Sequence, residues 1–134
     1  MRSESAAGAV FAAINQSRGG AGLPALQWSA GLGRSAHAHN LAMAAAGQLS
    51  HQLPGEAPLG TRVSRQGVPW GWAGENVGES GTLSSAAALV LEQLMLGDLA
   101  HRLNILTNTG TMVGVDVVFD ANQHRLWLTE DFAN

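Results

Sequence analysis

The chain has 134 residues, of which 46% are hydrophobic and 13% are charged, and its net charge is −3. This composition indicates a globular domain rather than a disordered chain, and the seven arginines, scattered along a chain without lysine, exclude a basic face for nucleic acid. The absence of cysteine excludes disulfides, thiol catalysis and cysteine-ligated zinc. No apolar run reaches the roughly 20 residues that span a bilayer, and the first residues lack a secretory-signal pattern, so we expect neither a transmembrane segment nor a signal peptide in this chain.

Helices are predicted in three segments, near residues 5–17, 30–46 and 83–97, because apolar side chains recur there at helical spacing. Ser29 precedes the second segment and is predicted to be its N-cap. Glycines follow each segment, which is typical of helix C-termini.

A region of about thirty residues, rich in Gly and Pro, separates the second and third helices, and we expect a long and therefore functional loop there. The C-terminal part changes to a strand pattern, which predicts a hairpin near 112–132. No repeat or linker divides the chain, so residues 1–134 are predicted to form one domain. Helices followed by a hairpin indicate an α+β domain with helices packed on an antiparallel sheet.

Two histidines, His51 and His101, follow predicted helices, where side chains can converge on a cleft. Asp98 precedes His101 by three residues, which places both on one side of a helical turn. Glu75 is the one charged residue of the glycine-bounded stretch GENVG. Two imidazoles and two carboxylates suit a divalent cation or a proton relay. In the structural alternative, Asp98 caps a helix and pairs with His101, and Glu75 accepts backbone hydrogen bonds.

Other polar and aromatic residues are interpreted as structural. His39 falls on the apolar face of its helix and is expected to be buried and hydrogen-bonded. Glu130 and Asp131, on the last strand, are expected to be solvated or paired rather than catalytic. All four tryptophans are expected to pack in the core or a cleft, with Trp70 and Trp72 the most exposed.

Six stretches of the sequence resemble, in the right order, the CAP superfamily of cysteine-rich secretory, antigen-five and pathogenesis-related proteins, in its bacterial, cysteine-poor form. They are INQSRGGAGLPALQW, AHAHNLAMAAAGQLSH, GENVG, HRLNIL, VGVDV and WLTEDF. The resemblance implies a three-layer α-β-α sandwich with a central antiparallel sheet, and a secreted or periplasmic protein. It also implies a cleft with two histidines and two acids: His51 and His101 match the histidines, Glu75 matches one acid, and Asp98 lies near the other.

Two classes of function remain open. In the first, the chain is an extracellular monomeric module whose cleft of His51, Glu75, Asp98 and His101 binds a small-molecule, lipid or protein ligand without turnover. His51 and His101 would bind zinc or another divalent cation weakly. In the second, a peptidase or esterase uses the same residues, with Ser50 as a nucleophile by its proximity to His51. We favour the first class because no G-x-S-x-G, cysteine or H-E-x-x-H motif is present.

Overall fold

Five helices and four strands make up the chain, and the computed structural model describes all 134 residues. In chain order the elements are α1 (Glu4–Gly20), β1 (Gln27–Trp28), α2 (Ala30–Ala46), α3 (Leu59–Arg65), β2 (Ala73–Ser80), α4 (Ser85–Leu96), α5 (Leu99–Leu106), β3 (Met112–Asp120) and β4 (Arg125–Ala133). No helix is both long enough and apolar enough to cross a membrane.

The four strands form one sheet in the order β1-β3-β4-β2. The β3–β4 hairpin lies at its centre, and β4 also pairs antiparallel with β2, so that Glu75 lies opposite Asp131. The two residues of β1 pair in parallel with β3 at the other edge. Because helices cover both faces of this sheet, the expected α+β sandwich of three layers is confirmed, with an antiparallel sheet except at β1.

Successive side chains of a strand point to opposite faces, and this alternation divides the core in two. On one face, α1, α4 and α5 pack against β3 and β4 through a large apolar cluster that includes Ile14, Val115 and Phe132. On the other face, α2 packs against a smaller cluster that includes Met43 and Trp127. We call these the α4 face and the α2 face.

The contact between α2 and the sheet is closest at Gly114. A Cβ atom added there would lie only 2.0 Å from the backbone nitrogen of Gly33. A side chain at this position would force the helix away from the sheet, so glycine is needed for the close approach of the two backbones. This contact fixes the distance between the N-terminal half of α2 and the sheet.

The long region after α2 is not a continuous loop, and this part of the prediction was wrong. It contains the short helix α3 and the whole of strand β2, on which Glu75 lies. The sequence of β2, AGENVGES, is poor in the β-branched and aromatic residues typical of strands. It forms a strand because β4 supplies a complete pairing partner along its length, which local sequence patterns do not reveal.

Two other expectations concern polar and aromatic residues. Glu130 and Asp131, expected to be solvated or paired, are fully buried and accept hydrogen bonds from Asn76 and Ser35, respectively. Trp70 and Trp72 were expected to be the most exposed tryptophans, but Trp72 is only partly exposed, and Trp28, although it packs edge to face on Phe11, is 44% exposed, close to the 42% of Trp70. The reason is that β1 is an edge strand of two residues, which leaves little neighbouring structure to cover the ring.

Candidate functional site

Glu75 is the centre of a charged cluster on the α2 face of β2. Its Oε1 atom lies 3.2 Å from Nδ1 of His51. Arg62, from α3, donates through Nη1 to Oε2 at 2.9 Å and through Nη2 to Oε1 at 3.2 Å. The side chain of Glu75 is only 2% exposed, whereas that of His51 is 61% exposed. A buried carboxylate is thus joined to solvent through an exposed imidazole.

His39 and Glu56 extend this arrangement, and we call His39, His51, Glu56, Arg62 and Glu75 the Glu75 cluster. His39 is fully buried, as expected, with Nδ1 2.7 Å from Oε2 of Glu56 and Nε2 2.7 Å from the carbonyl oxygen of Ser50. Both ring nitrogens therefore face acceptors. The Nε2 atom of His39 also lies 3.6 Å from Oε1 of Glu75, so that His39 and Arg62 are the basic side chains that border the two carboxylates.

These contacts determine the ionisation of the cluster. Burial alone would raise the pKa of Glu75, but the neighbouring His51, Asp131 and Arg62 side chains outweigh burial and lower this pKa to about 2. Burial and the neighbouring Glu75 charge raise the pKa of Asp131 well above its usual range. The hydrogen bond to Glu75 raises the pKa of His51. The lowered pKa favours the anionic form of Glu75, which lies between Asp131 beneath it, whose raised pKa favours the neutral acid, and His51 above it.

The second pair predicted from the sequence, Asp98 and His101, lies on the α4 face. Asp98 is the N-cap of α5, and its Oδ2 atom accepts from the backbone N–H of His101 at 3.3 Å and lies 2.5 Å from Nδ1 of the same residue. These hydrogen bonds lower the pKa of Asp98. Together with Leu49 and parts of β2 and α4, the pair lines a cavity of about 300 Å³. The helix-capping alternative is thus present in the structure.

The two pairs lie on opposite faces of β2 but are linked through its backbone. Asn76, next to Glu75, donates from Nδ2 to the carbonyl oxygen of His101 at 3.1 Å. Asn104 donates from Nδ2 to the carbonyl oxygen of Glu75 at 3.2 Å and to Oδ1 of Asn76 at 2.9 Å. The structure therefore fixes α5 against the edge strand, although it shows no direct contact between the His51–Glu75 and Asp98–His101 pairs.

Both histidines have the same relation to their carboxylates, with Nδ1 turned towards an acid. The neutral ring then carries its proton on Nδ1 and offers the lone pair of Nε2, which is the arrangement of carboxylate-oriented metal-binding histidines. The donor set suits a divalent ion in kind but not in number, since no group of three or more His, Asp or Glu side chains is arranged to hold one.

Sequence reasoning missed Glu56 and Arg62. Glu56 accepts the backbone N–H of Leu53 at 3.1 Å as well as the proton of His39, so it holds the loop after α2. Arg62 donates from Nη2 to the carbonyl oxygen of His51 at 3.0 Å and so anchors the same loop. One signal was available for Glu56: it lies five residues after His51, in the same loop. Arg62 had none, because α3 was not predicted.

The sequence and fold were compared with known proteins. The sequence profile described as CAP, the cysteine-rich secretory protein family, matches residues 11–132. No curated protein matches the sequence. Among solved structures, an extracellular protein containing an SCP domain from Bacillus anthracis is 27% identical, with a TM-score of 0.83. The match covers 97% of this chain but 40% of that one, so this chain spans less than half of that protein.

Two further structures share the fold at lower identity. An outer surface protein from Borrelia burgdorferi is 10% identical with a TM-score of 0.87, and the match covers 100% of this chain and 97% of that one. The protein NaASP2, in a crystal structure with Zn²⁺, is 15% identical with a TM-score of 0.65, and the match covers 98% of this chain and 80% of that one. At these identities the similarity demonstrates the fold alone.

Proposed function

The chain belongs to the CAP, or cysteine-rich secretory protein, family, and from this we propose that it is an extracellular binding module. We place its ligand-binding cleft along the β2 edge, with His51 and His101 as the contacting groups and Glu75 and Asp98 as the residues that orient them. One observation carries the proposal: both histidines turn Nδ1 to a carboxylate. Their Nε2 atoms, on half-exposed or exposed rings, remain for a ligand.

The buried groups have a clear task in this proposal. Arg62 and His39 keep Glu75 ionised, and an ionised Glu75 accepts the Nδ1 proton of a neutral His51 and so directs its Nε2 lone pair outwards. Asp98 does the same for His101 from the exposed N-terminus of α5. The carboxylates therefore determine ring orientation and tautomer, and the imidazoles contact the ligand.

Zinc fits this donor set in chemistry, and His51 and His101 would hold it through Nε2. A bound ion would supply a positive centre for an anionic or carbonyl group of a ligand. Because the protein offers two imidazoles and no third ligand group, we expect weak binding, and we expect the fold to survive chelation. The crystallisation of NaASP2 with Zn²⁺ is consistent with this proposal but belongs to that protein.

Turnover is not expected, because Ser50 is not arranged as a nucleophile. Its Oγ donates to the carbonyl oxygen of Gln52 at 3.0 Å and accepts the backbone N–H of the same residue at 3.2 Å. The hydroxyl is therefore committed to a local turn, whereas a catalytic serine donates to an adjacent base. The proposal of an extracellular location rests on the family, and the similarity to the extracellular SCP-domain protein of Bacillus anthracis supports it.

The test is calorimetric titration of Zn²⁺ into the wild type, His51→Ala and His101→Ala. We expect one ion per chain in the wild type, and a loss of at least about tenfold in affinity in each variant, because two-ligand binding fails when either ligand is removed. The matched control is His124→Asn. His124 is exposed in the β3–β4 turn with φ of 51°, a conformation that asparagine tolerates.

Unchanged affinity in both alanine variants would remove the metal part of the proposal. Loss in only one variant would reduce the site to a single histidine and its carboxylate. Robust hydrolysis of peptide or ester substrates that is abolished by His51→Ala would overturn the binding-module proposal in favour of the hydrolase.

A further inference from the structure

The largest cavity of the molecule lies at the edge of the sheet opposite to β2. It has a volume of about 530 Å³ and lies between the N-terminal halves of α1 and α2, and we call it the α1–α2 groove. Its volume is within the range of small-molecule sites, roughly 300–1,000 Å³. None of the residues of the Glu75 cluster lines it, and neither Asp98 nor His101 does.

The groove exists because the edge of β3 is covered only at its two ends. At one end, the backbone N–H of Ser29, just after β1, donates to the carbonyl oxygen of Val113 at 2.9 Å. At the other end, the backbone N–H of Ser3 donates to the carbonyl oxygen of Val117 at 2.8 Å. Val115 lies halfway between Val113 and Val117. Because alternate residues of a strand direct their backbone N–H and C=O groups to the same side, those of Val115 point to this same edge. Val115 forms part of the groove lining. No strand lies over this interval.

Aromatic side chains supply the apolar wall. The rings of Phe11 and Trp28 pack edge to face, with centroids 5.2 Å apart and an interplanar angle of 73°. Trp28 rests on the backbone of α2, since a Cβ atom at Gly33 would lie 3.3 Å from its Cζ2 atom. Opposite, α1 presents Gly8, where an added Cβ would have no neighbour within 4 Å. The ring of Trp28 is therefore held in place while its exposed face borders open space.

The charged lining residues differ in how they are compensated. Arg2 donates from Nε to Oδ1 of Asp116 at 2.8 Å, so its charge is paired. Arg34 donates from Nε and Nη2 only to the two neutral oxygens of Gln66, at 3.1 and 3.2 Å, and makes no ion pair. Its Nη1 donors remain free. Glu4, in the first turn of α1, is the one acidic residue that lines the groove. Because Glu4 repels negative charge, an anionic ligand must place its charge on the α2 side of the groove, where Arg34 lies.

We propose that the α1–α2 groove binds a small monoanion with a planar apolar body, an aromatic carboxylate in chemical class. The body stacks on Trp28 beside Phe11, and the carboxylate is held by the Arg34 guanidinium. Planar recognition follows from the fixed indole face, and preference for an anion follows from the uncompensated guanidinium. The groove is on the other edge of the sheet from the proposed histidine cleft, so this binding is independent of that proposal.

The test uses 2-naphthoate as the probe and the indole N–H resonances of ¹⁵N-labelled protein as the readout. The four tryptophans give four such signals, and we expect saturable movement of the Trp28 signal, with that of the fully buried Trp127 unchanged. Arg34→Gln should weaken 2-naphthoate by about tenfold, since a hydrogen bond to a charged group is lost. The same substitution should leave the binding of neutral 2-naphthamide unchanged.

A second variant tests the place of binding without weakening the fold. Gly8→Leu fills the open space on α1 and should abolish binding of both probes. Gly19→Leu is its matched control, because it lies on the same helix with equally open space around the added Cβ, and it should bind as the wild type does. His51→Ala and His101→Ala should also bind as the wild type does. No Trp28 shift at millimolar probe, equal 2-naphthoate affinity in Arg34→Gln, or unimpaired binding in Gly8→Leu would overturn the proposal.

Discussion

Glu75 and Glu92, buried on opposite faces of the β2–β4 strand pair, have pKa values that are shifted in opposite directions. On the α2 face, Glu75 and Asp131 lie opposite each other, and on the α4 face Glu130 meets Glu92 from α4. All four are buried. Yet the pKa of Glu75 falls to about 2, whereas burial and the neighbouring Glu130 raise that of Glu92 to about 11.

The difference lies in the partners that each face supplies. Glu75 receives two hydrogen bonds from Arg62 and one from His51. Glu130 receives one neutral hydrogen bond, from Nδ2 of Asn76 at 3.0 Å, and otherwise faces Glu92. Glu92 has no hydrogen-bond partner except that second carboxyl. Burial alone therefore does not decide the charge of an acid: the α2 face maintains an anion, and the α4 face maintains a carboxylic acid that shares its proton.

Removing the cation of the α2 face should produce the largest effect. Arg62→Met leaves Glu75 buried without its guanidinium, and we expect a loss of about 3–5 kcal/mol in the free energy of unfolding, the usual cost of breaking a buried ion pair. Urea unfolding at pH 7 measures this value. The double variant with Glu75→Gln should recover most of the loss, because no uncompensated charge then remains.

Arg65→Met is the matched control for this substitution, because Arg65 is exposed on the same helix and makes no ion pair. It should change the free energy of unfolding by less than about 0.5 kcal/mol. A loss of the same size in both arginine variants would show that packing of α3, rather than charge compensation, explains the effect.

The α4 face should be tested through its pH dependence. The folded protein keeps a proton on Glu92, whereas the unfolded chain releases it near pH 4.5. The stability due to this proton is complete below pH 4.5 and is lost as pH rises towards 11. Glu92→Gln cannot titrate, so relative to the wild type it should gain up to about 1.4 kcal/mol per pH unit between pH 6 and pH 8.

Urea unfolding at several pH values measures this gain, and Glu4→Gln, which removes an exposed carboxyl, is the control. Parallel pH profiles for Glu92→Gln and the wild type would contradict the shared proton and would make the two faces alike.

A smaller effect distinguishes the two acids within the α2 face. The hydroxyl of Ser35 donates to Oδ2 of Asp131 at 2.8 Å. Because burial and Glu75 raise the pKa of Asp131 and so favour its neutral form, we expect Ser35→Ala to cost about 1 kcal/mol, as for a neutral hydrogen bond. A hydrogen bond to a charged group would cost roughly 1.5–3 kcal/mol. Ser5→Ala, on the exposed side of α1, corrects for the helix preference of alanine. A corrected loss near 3 kcal/mol at pH 7 would show Asp131 to be ionised.

Periodic features of the sequence predicted most of the fold. The helix at 30–46 and the hairpin near 112–132 have strong apolar patterns, and both are confirmed. Strand β2 was missed because a strand made of Gly, Glu, Asn and Ser depends on its partner β4 rather than on its own residues. Glu75 and His51 were selected from motif position, and the structure brings them into contact.

The remaining residues of the site could not be predicted for a related reason. Arg62 reaches Glu75 only because α3 crosses above β2, and Glu92 reaches Glu130 only because α4 lies on the opposite face. These are contacts between elements distant in sequence, and no local spacing encodes them. A common role for His51 and His101 in one cleft stays a prediction.

The strand order has a consequence for synthesis on the ribosome. The two central strands, β3 and β4, are the last elements of the sequence, and both edge strands and all five helices precede them. While the chain is being made, the helices have no sheet on which to pack, and β2 has no partner for its hydrogen bonds. The sheet therefore cannot close until residues 112–133 have left the exit tunnel, and the elements that precede them remain without their packing partners until then.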